Sequence, residues 1–277
     1  MRISILAAAL VLSGCAVNGF AKYYTPKSGV ENIAAIPYYV PSPNVPKLYA
    51  HSDDVKADLK RLAEDGYVLI GTSSFLAPEI MGTKAQAIAQ AKKLHAAIVM
   101  VKSSYRDTLS GTYQYSVPNP AQTVTVNTSG TVSSFSNGAY SSDNYSGTGT
   151  VTIPGGSTTY NAPYTFTRSD FFASYWVACD PSKMRLGINA VPLPDDVRER
   201  LKRNTGVFIP IVVRGTPAFR ANILEGDVVV KINAEEVVDV QGYSEQVKRF
   251  AGQTVDLGVI RGAEAVSIRV SLNPNPT

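Results

Sequence analysis

The chain has 277 residues, 44% of them hydrophobic and 17% charged, with a net charge of +4. That length is enough for two ordinary domains, and so small a positive charge, with no dense Lys/Arg run, gives no footing for nucleic-acid binding. Two histidines and two cysteines, each pair far apart, offer no metal-ligand cluster, and no cofactor motif occurs.

At the N-terminus, Arg2, the apolar run Ile3 to Leu12 and the small residues Ser13 and Gly14 make the three-part pattern of a secretory signal. The run is too short to span a bilayer as a stable helix. The four residues Leu12-Ser13-Gly14-Cys15 resemble the lipobox of bacterial lipoproteins. The resemblance implies that residues 1–14 are removed and that Cys15 is lipidated on its sulfur. Ala16, where aspartate would signal retention, implies the outer membrane, and acyl chains worth ~0.8 kcal/mol per buried CH₂ anchor firmly. The other cysteine, Cys179, lies in the apolar run Tyr175 to Cys179 and reads as a buried, inert thiol.

Residues 15–46 are rich in proline ("PYYVPSPNVPK") and read as an extended tether. A compact module is expected over 47–180. Ser52-Asp53-Asp54 caps a helix with the apolar face Val55, Leu59, Leu62 and Ala63, ending at Gly66. "YVLIGTSSF" reads as a strand, "TKAQAIAQAKKLHA" as a helix and "AIVMVKSSY" as a strand, a βαβ pattern with parallel strands. Residues 107–168 are almost free of charge and full of Ser, Thr, Gly and Tyr. Alternation in Thr123 to Val126 and Thr150 to Ile153, with turns at Ser136-Asn137-Gly138 and Pro154-Gly155-Gly156, predicts a long hairpin, with a partly disordered insertion as the alternative. "DFFASYWVA" reads as a buried strand closing the sheet. Through "GYVLIGTSSF" and "AQAKKLHAAIVMV" the module resembles small α+β modules of bacterial envelope lipoproteins, and that resemblance carries no functional residue.

The C-terminal segment, 184–273, carries Gly206-Val207-Phe208-Ile209, Thr216-Pro217-Ala218, Leu224-Glu225-Gly226-Asp227, the apolar strand Val228 to Asn233, a helix "YSEQVKRFAG" and Arg261-Gly262. This arrangement resembles a PDZ domain of the bacterial envelope-protease type, a partly open β-barrel with two helices. The fold class expected for the whole chain is α+β. Thr216 caps a helix with Pro217 in its first turn, and Asn222 stands where the family has a left-handed glycine. The resemblance implies a groove in which an extended peptide adds to a sheet edge while loop amides receive its terminal carboxylate. Carried over, those amides belong to Gly206, Val207 and Phe208, with Ile209 continuing the strand. Tyr243, Val247 and Phe250 then supply the helix side of the groove. Pro210, two residues after Phe208, would remove one ladder donor, or, with a one-residue shift, fall on the other side of the strand and leave binding untouched.

No serine stands in a glycine-rich nucleophile loop. His51, at a helix start, and His95, at a helix end, are explained by exposure, capping and the helix dipole. The reading is therefore a non-enzymatic, lipid-anchored protein of the bacterial envelope, facing the periplasm. Its partner is an envelope protein or a peptide C-terminus, held for example for a separate protease. The alternatives are a structural envelope or surface component whose N-terminal module makes the main contact, and a hydrolase with an unrecognised site.

Overall fold

The computed structural model describes residues 17–30 and 32–275; Cys15 and the rest of the lipobox lie outside them. The chain divides into two compact units, one made of Asp107–Thr167 and the other of the residues on either side of it.

The N-terminal half of the larger unit begins with α1 (Gly19–Lys22), capped by the Asn18 side chain, then β1 (Tyr24–Pro26), β2 (Tyr39–Val40) and β3 (Lys47–Ala50). These elements correct the expected tether. Phe20 has no exposed surface and packs edge-on to Phe75 and Phe171, so the proline-rich segment is tied into the core by its few large apolar side chains. Next come α2 (Val55–Glu64), β4 (Tyr67–Pro78), α3 (Lys84–Lys93) and β5 (Ile98–Pro118). Asp54 caps α2 by accepting from the Ala57 N–H, and Thr83 and Gln86 close a reciprocal capping box on α3.

β6 (Gln122–Ser136) and β7 (Ala139–Ile153) belong to the smaller unit, and β8 (Ser157–Cys179) closes the sheet of the larger one. The strand order there is β1-β4-β8-β5-β3, with β2 also on β8. The two strands of the expected βαβ pattern, β4 and β5, are thus separated by β8, while the parallel partner of β5 is β3. Alternate residues serve opposite faces of this sheet. Val99, Tyr175 and Val177 pack under α1 and α3, whereas Ile98, Met100 and Trp176 pack under Leu59 and Leu62 of α2.

The C-terminal module runs β9 (Ile188–Pro192), α4 (Asp195–Leu201), β10 (Val207–Val212), α5 (Pro217–Arg220), β11 (Val228–Ile232), β12 (Glu235–Glu236), α6 (Val240–Arg249), β13 (Thr254–Arg261) and β14 (Glu264–Ser271). Its sheet is ordered β14-β13-β11-β10-β9, so β9 forms an edge and β10 is interior. Val207, Ile209, Ile232 and Leu257 have no exposed surface and fill the core with Leu186, Tyr243 and Val247. Asn222 takes the left-handed conformation, φ 58°, just past α5.

The two halves of the larger unit are joined by main chain as well as side chains. The N–H of Arg214 donates to the Glu64 carbonyl at 2.7 Å, the Arg214 guanidinium pairs with Glu64 and Asp65, and Lys60 pairs with Glu225.

In the smaller unit, β6 and β7 form a two-stranded antiparallel ribbon registered from Gln122↔Ile153 to Ser136↔Ala139. Asn137 and Gly138, at φ 53° and 77°, make the two-residue turn that matches strand twist.

Candidate functional site: a peptide groove at the free sheet edge

The site is built on the segment that leads into β9. Four successive carbonyls there are bonded into the body of the module. The Met184 carbonyl accepts from Asn273 Nδ2 at 2.7 Å, Arg185 from the Asn273 N–H at 2.9 Å, Leu186 from Ala218 N–H at 2.9 Å and Gly187 from Val213 N–H at 2.9 Å. In a trans peptide the N–H of the next residue points opposite to each carbonyl. The N–H groups of Arg185, Leu186, Gly187 and Ile188 are therefore turned away from the body. Those of Leu186 and Gly187 donate to no backbone group among the described residues. Successive outward amides of this kind make an anion-binding concavity.

Gly187 is required at its position. Its φ is +86°, and a Cβ would run into the buried side chain of Thr216. Thr216 is itself fixed, donating from its hydroxyl to the Val213 carbonyl at 2.6 Å.

Facing this edge is α6, whose Asp239 cap accepts from the Gly242 N–H at 2.8 Å. Tyr243 and Val247 are 7% and 6% exposed and close the floor between α6 and β9. Burial pushes the Tyr243 phenol well above its ordinary range, so it is neutral at all physiological pH.

A cavity of about 630 Å³ opens here. One wall is Leu186, Gly187 and Ile188 with Tyr243, Ser244 and Val247. The opposite wall comes from the N-terminal half: Leu59 and Ala63 of α2, Tyr67 and Leu69 of β4, and Trp176 of β8. Lys27, Arg185 and Lys60, the last already paired with Glu225, also line it, and among the described residues no acidic side chain does. The cavity thus combines apolar walls, outward amides and a positive rim, the chemistry that holds an apolar group carrying a carboxylate.

The structure moves the site away from where the sequence put it. Gly206, Val207, Phe208 and Ile209 lead into and form β10, which is hydrogen-bonded on both sides, to β9 and to β11. The Gly206 N–H donates to the Val238 carbonyl at 3.1 Å, and the Ile209 N–H to the Asp227 carbonyl at 3.0 Å. An interior strand has no free edge to offer, which corrects the assignment of loop amides to Gly206, Val207 and Phe208 and of the peptide strand to Ile209. Phe208 packs instead against Leu193 and Val197 under α4. Tyr243 and Val247 do line the cavity; Phe250 packs against the core and is not part of its wall. Pro210 falls in the register shift between Phe208 and Ile211, where the β9–β10 ladder is already interrupted, so its missing N–H removes nothing from the groove.

Residues 185–272 match the PDZ domain family. The C-terminal module is a PDZ domain. Over 94 residues, 33% of this chain, it is 31% identical to a probable periplasmic serine endoprotease DegP-like of Bartonella henselae, 18% of whose length is covered. Over 79 residues, 28% of this chain, it is 30% identical to serine protease HTRA1 of Xenopus tropicalis, covering 17% of that protein. The chain therefore spans less than a fifth of either relative. A solved structure of the HtrA3 PDZ domain bound to a phage-derived ligand is 23% identical over 32% of this chain and 83% of that one, with a TM-score of 0.29.

One constellation missed in the sequence lies away from the groove. His51 is buried, not exposed at a helix start: Nδ1 meets Asp58 Oδ2 at 3.2 Å and Nε2 meets Ser174 Oγ at 2.9 Å. The Trp176 indole N–H donates to the same Ser174 oxygen at 2.9 Å, which leaves the serine proton for His51 Nε2 and the Nδ1 proton for Asp58. The order is that of a serine triad, yet Ser174 has no exposed surface, so no substrate atom reaches it. The cluster works as a polar clamp joining the entry to α2 to the centre of β8. Burial lowers the His51 pKa, against the opposing pull of Asp58. Asp58 is raised by its burial but more than offset by bonds from Ser52 and His51, and lies below the usual range. Among the described residues no group of His, Cys, Asp and Glu is arranged to hold a metal, and no helix is long and apolar enough to cross a membrane.

Proposed function

We propose that this protein recognises the C-terminal end of a partner polypeptide in the groove between β9 and α6 of its PDZ domain. The observation that carries the reading is the row of outward amides at Leu186, Gly187 and Ile188 beside a cavity with apolar walls and the cationic rim residues Lys27 and Arg185. An extended peptide adds to the free edge of β9, its carboxylate meets the amides, and its last apolar side chain enters the cavity. Recognition, not turnover, is the work of this chain, with Cys15 tethering it by acyl chains to the bacterial outer membrane. Held there, it binds envelope proteins or exposed C-termini and presents them to a separate protease. The matched relative named as a periplasmic endoprotease supports an envelope setting.

The test is fluorescence polarisation with peptides ending in an apolar residue, each made with a free and an amidated C-terminus. Binding that disappears on amidation and on Val247→Asp is expected. Equal binding of both peptide forms would remove carboxylate capture. Anchoring is tested separately by fatty-acid labelling in a bacterial host, which Cys15→Ser must abolish.

A further inference from the structure

The smaller unit is unlike a folded domain. Over its whole length it carries two charged residues, Asp107 and Asp143. β6 and β7 have no third strand among the described residues, so both outer edges of a ribbon 15 residues long on each strand present unused main-chain groups. An isolated two-stranded ribbon is marginal in water, and long bare edges invite pairing.

Its two faces differ. The register pairs Thr123, Thr125, Asn127, Ser129, Thr131 and Ser133 with Thr152, Thr150, Thr148, Ser146, Asn144 and Ser142, one unbroken face of hydroxyl and amide side chains. The opposite face carries Val124 against Val151, Val126 against Gly149, Thr128 against Gly147, Gly130 against Tyr145, and Ile153 at its end. Val124, Val126, Val132, Tyr145, Val151 and Ile153 are 43% to 59% exposed. The alternation is interrupted at Thr128 and bounded by Gln122, opposite Ile153, and Asp143, opposite Val132, and among the described residues nothing covers the apolar side.

The adjoining stretches of β5 and β8 within the same unit repeat the division. Ser110 meets Thr165 at 3.1 Å and Ser116 meets Thr159 at 3.1 Å. Alternate positions carry aromatic rings, with Tyr115 stacked on Tyr160 at 5.6 Å and Tyr164 on Phe166 at 5.9 Å. An apolar band on one face with polar side chains on the other, joined to strands that carry stacked aromatic rings, is the pattern of a strand that crosses a lipid bilayer in a barrel.

Length agrees. About 9–11 tilted residues cross the hydrocarbon. The run from Gln122 to Thr131 supplies ten before Asp143, opposite Val132, and the Ser134–Ser141 pair return the ribbon to polar chemistry. One ribbon alone cannot cross, because its edge N–H and C=O groups would be unsatisfied in lipid. Edges from further copies satisfy them, and a closed ring leaves none over.

We propose that copies of this chain pair edge to edge through the Asp107–Thr167 ribbon and close into a β-barrel that crosses a lipid bilayer, valine face to lipid and hydroxyl face to the lumen. This reading is independent of peptide binding by the PDZ domain.

The test uses the full chain and unilamellar vesicles of phosphatidylethanolamine and phosphatidylglycerol with trapped calcein. The wild type is expected to release the dye and to sediment as an oligomer after detergent extraction. Val126→Arg, on the lipid face, should cut release about thirtyfold or more, whereas Thr125→Arg, one residue away on the lumen face, should leave it within about threefold. Val126→Arg lies outside both cores and must keep the melting temperature of the wild type, which separates lost insertion from lost folding. Absence of release by the wild type, or equal effects of the two arginines, would overturn the proposal.

Discussion

The main-chain N–H of Asn273 donates to the Arg185 carbonyl at 2.9 Å, while the Asn273 side chain donates to the Ser182 and Met184 carbonyls at 2.8 and 2.7 Å. The end of the PDZ domain thus holds its beginning. This clamp sets the start of the binding loop, and the N–H groups of Ala218 and Val213, bonded to the Leu186 and Gly187 carbonyls, complete the outward turn of its amides.

Replacing Asn273 by alanine removes two of the three bonds and leaves the main-chain one. The expected cost is about 1–2 kcal/mol of stability. A larger proportional loss should appear in peptide affinity, because the loop geometry loosens. Chemical denaturation and peptide titration on the same preparation check both.

The position of the groove is tested at the main chain. Ile188→Pro deletes an N–H that faces the open edge, and peptide binding should weaken about three- to tenfold, the worth of one such bond. Pro210→Val restores a donor at an interior irregularity and should leave affinity unchanged. The reverse pattern would return the site to β10.

Arg261 meets Asp227 with two parallel bonds of 2.8 Å, and Asp227 is 1% exposed. Arg261→Met strands a buried carboxylate, whose remaining partner is the Leu224 N–H at 2.9 Å. A loss of about 3–5 kcal/mol is expected, read from the unfolding midpoint of the PDZ domain.

The His51 cluster makes stability depend on pH. The folded His51 pKa lies below its ordinary value of 6.5, so the unfolded chain takes up a proton first as pH falls. Its contribution is complete above that value and is lost as pH drops from there through the folded pKa. Melting temperatures measured between pH 7.5 and pH 5 should fall more steeply for wild type than for His51→Gln, within about that window. His51→Gln should also be less stable at the upper end, having lost one or both of its bonds.

Local chemistry was readable where a residue's role is decided by its neighbours in sequence. Thr216 and Pro217 start a helix, Asn222 takes the left-handed turn, Asp54 caps its helix, and Asn137-Gly138 makes the hairpin. The groove was not readable that way. Gly206-Val207-Phe208-Ile209 and Leu186-Gly187-Ile188 both read as a glycine entering an apolar strand; only strand order makes one interior and the other an edge. Phe20 sits in a segment whose composition reads as a tether, and one buried ring overrides that composition. Ser174 and His51 are 123 residues apart, so no spacing rule connects them.

The bond from the Arg214 N–H to the Glu64 carbonyl belongs to the polypeptide itself, and every residue except proline supplies that N–H. Alanine scanning along this junction will strip the surface charges and leave the main-chain bond in place, understating how firmly α2 is held beside the groove. Sequence drift meets the same limit: homologous chains can exchange any side chain at 214, proline apart, and keep the shared wall. The N-terminal half is then free to alter Ala63, which lines the cavity outside the packed core, and with it the wall offered to the proposed peptide, while the PDZ domain itself stays unchanged.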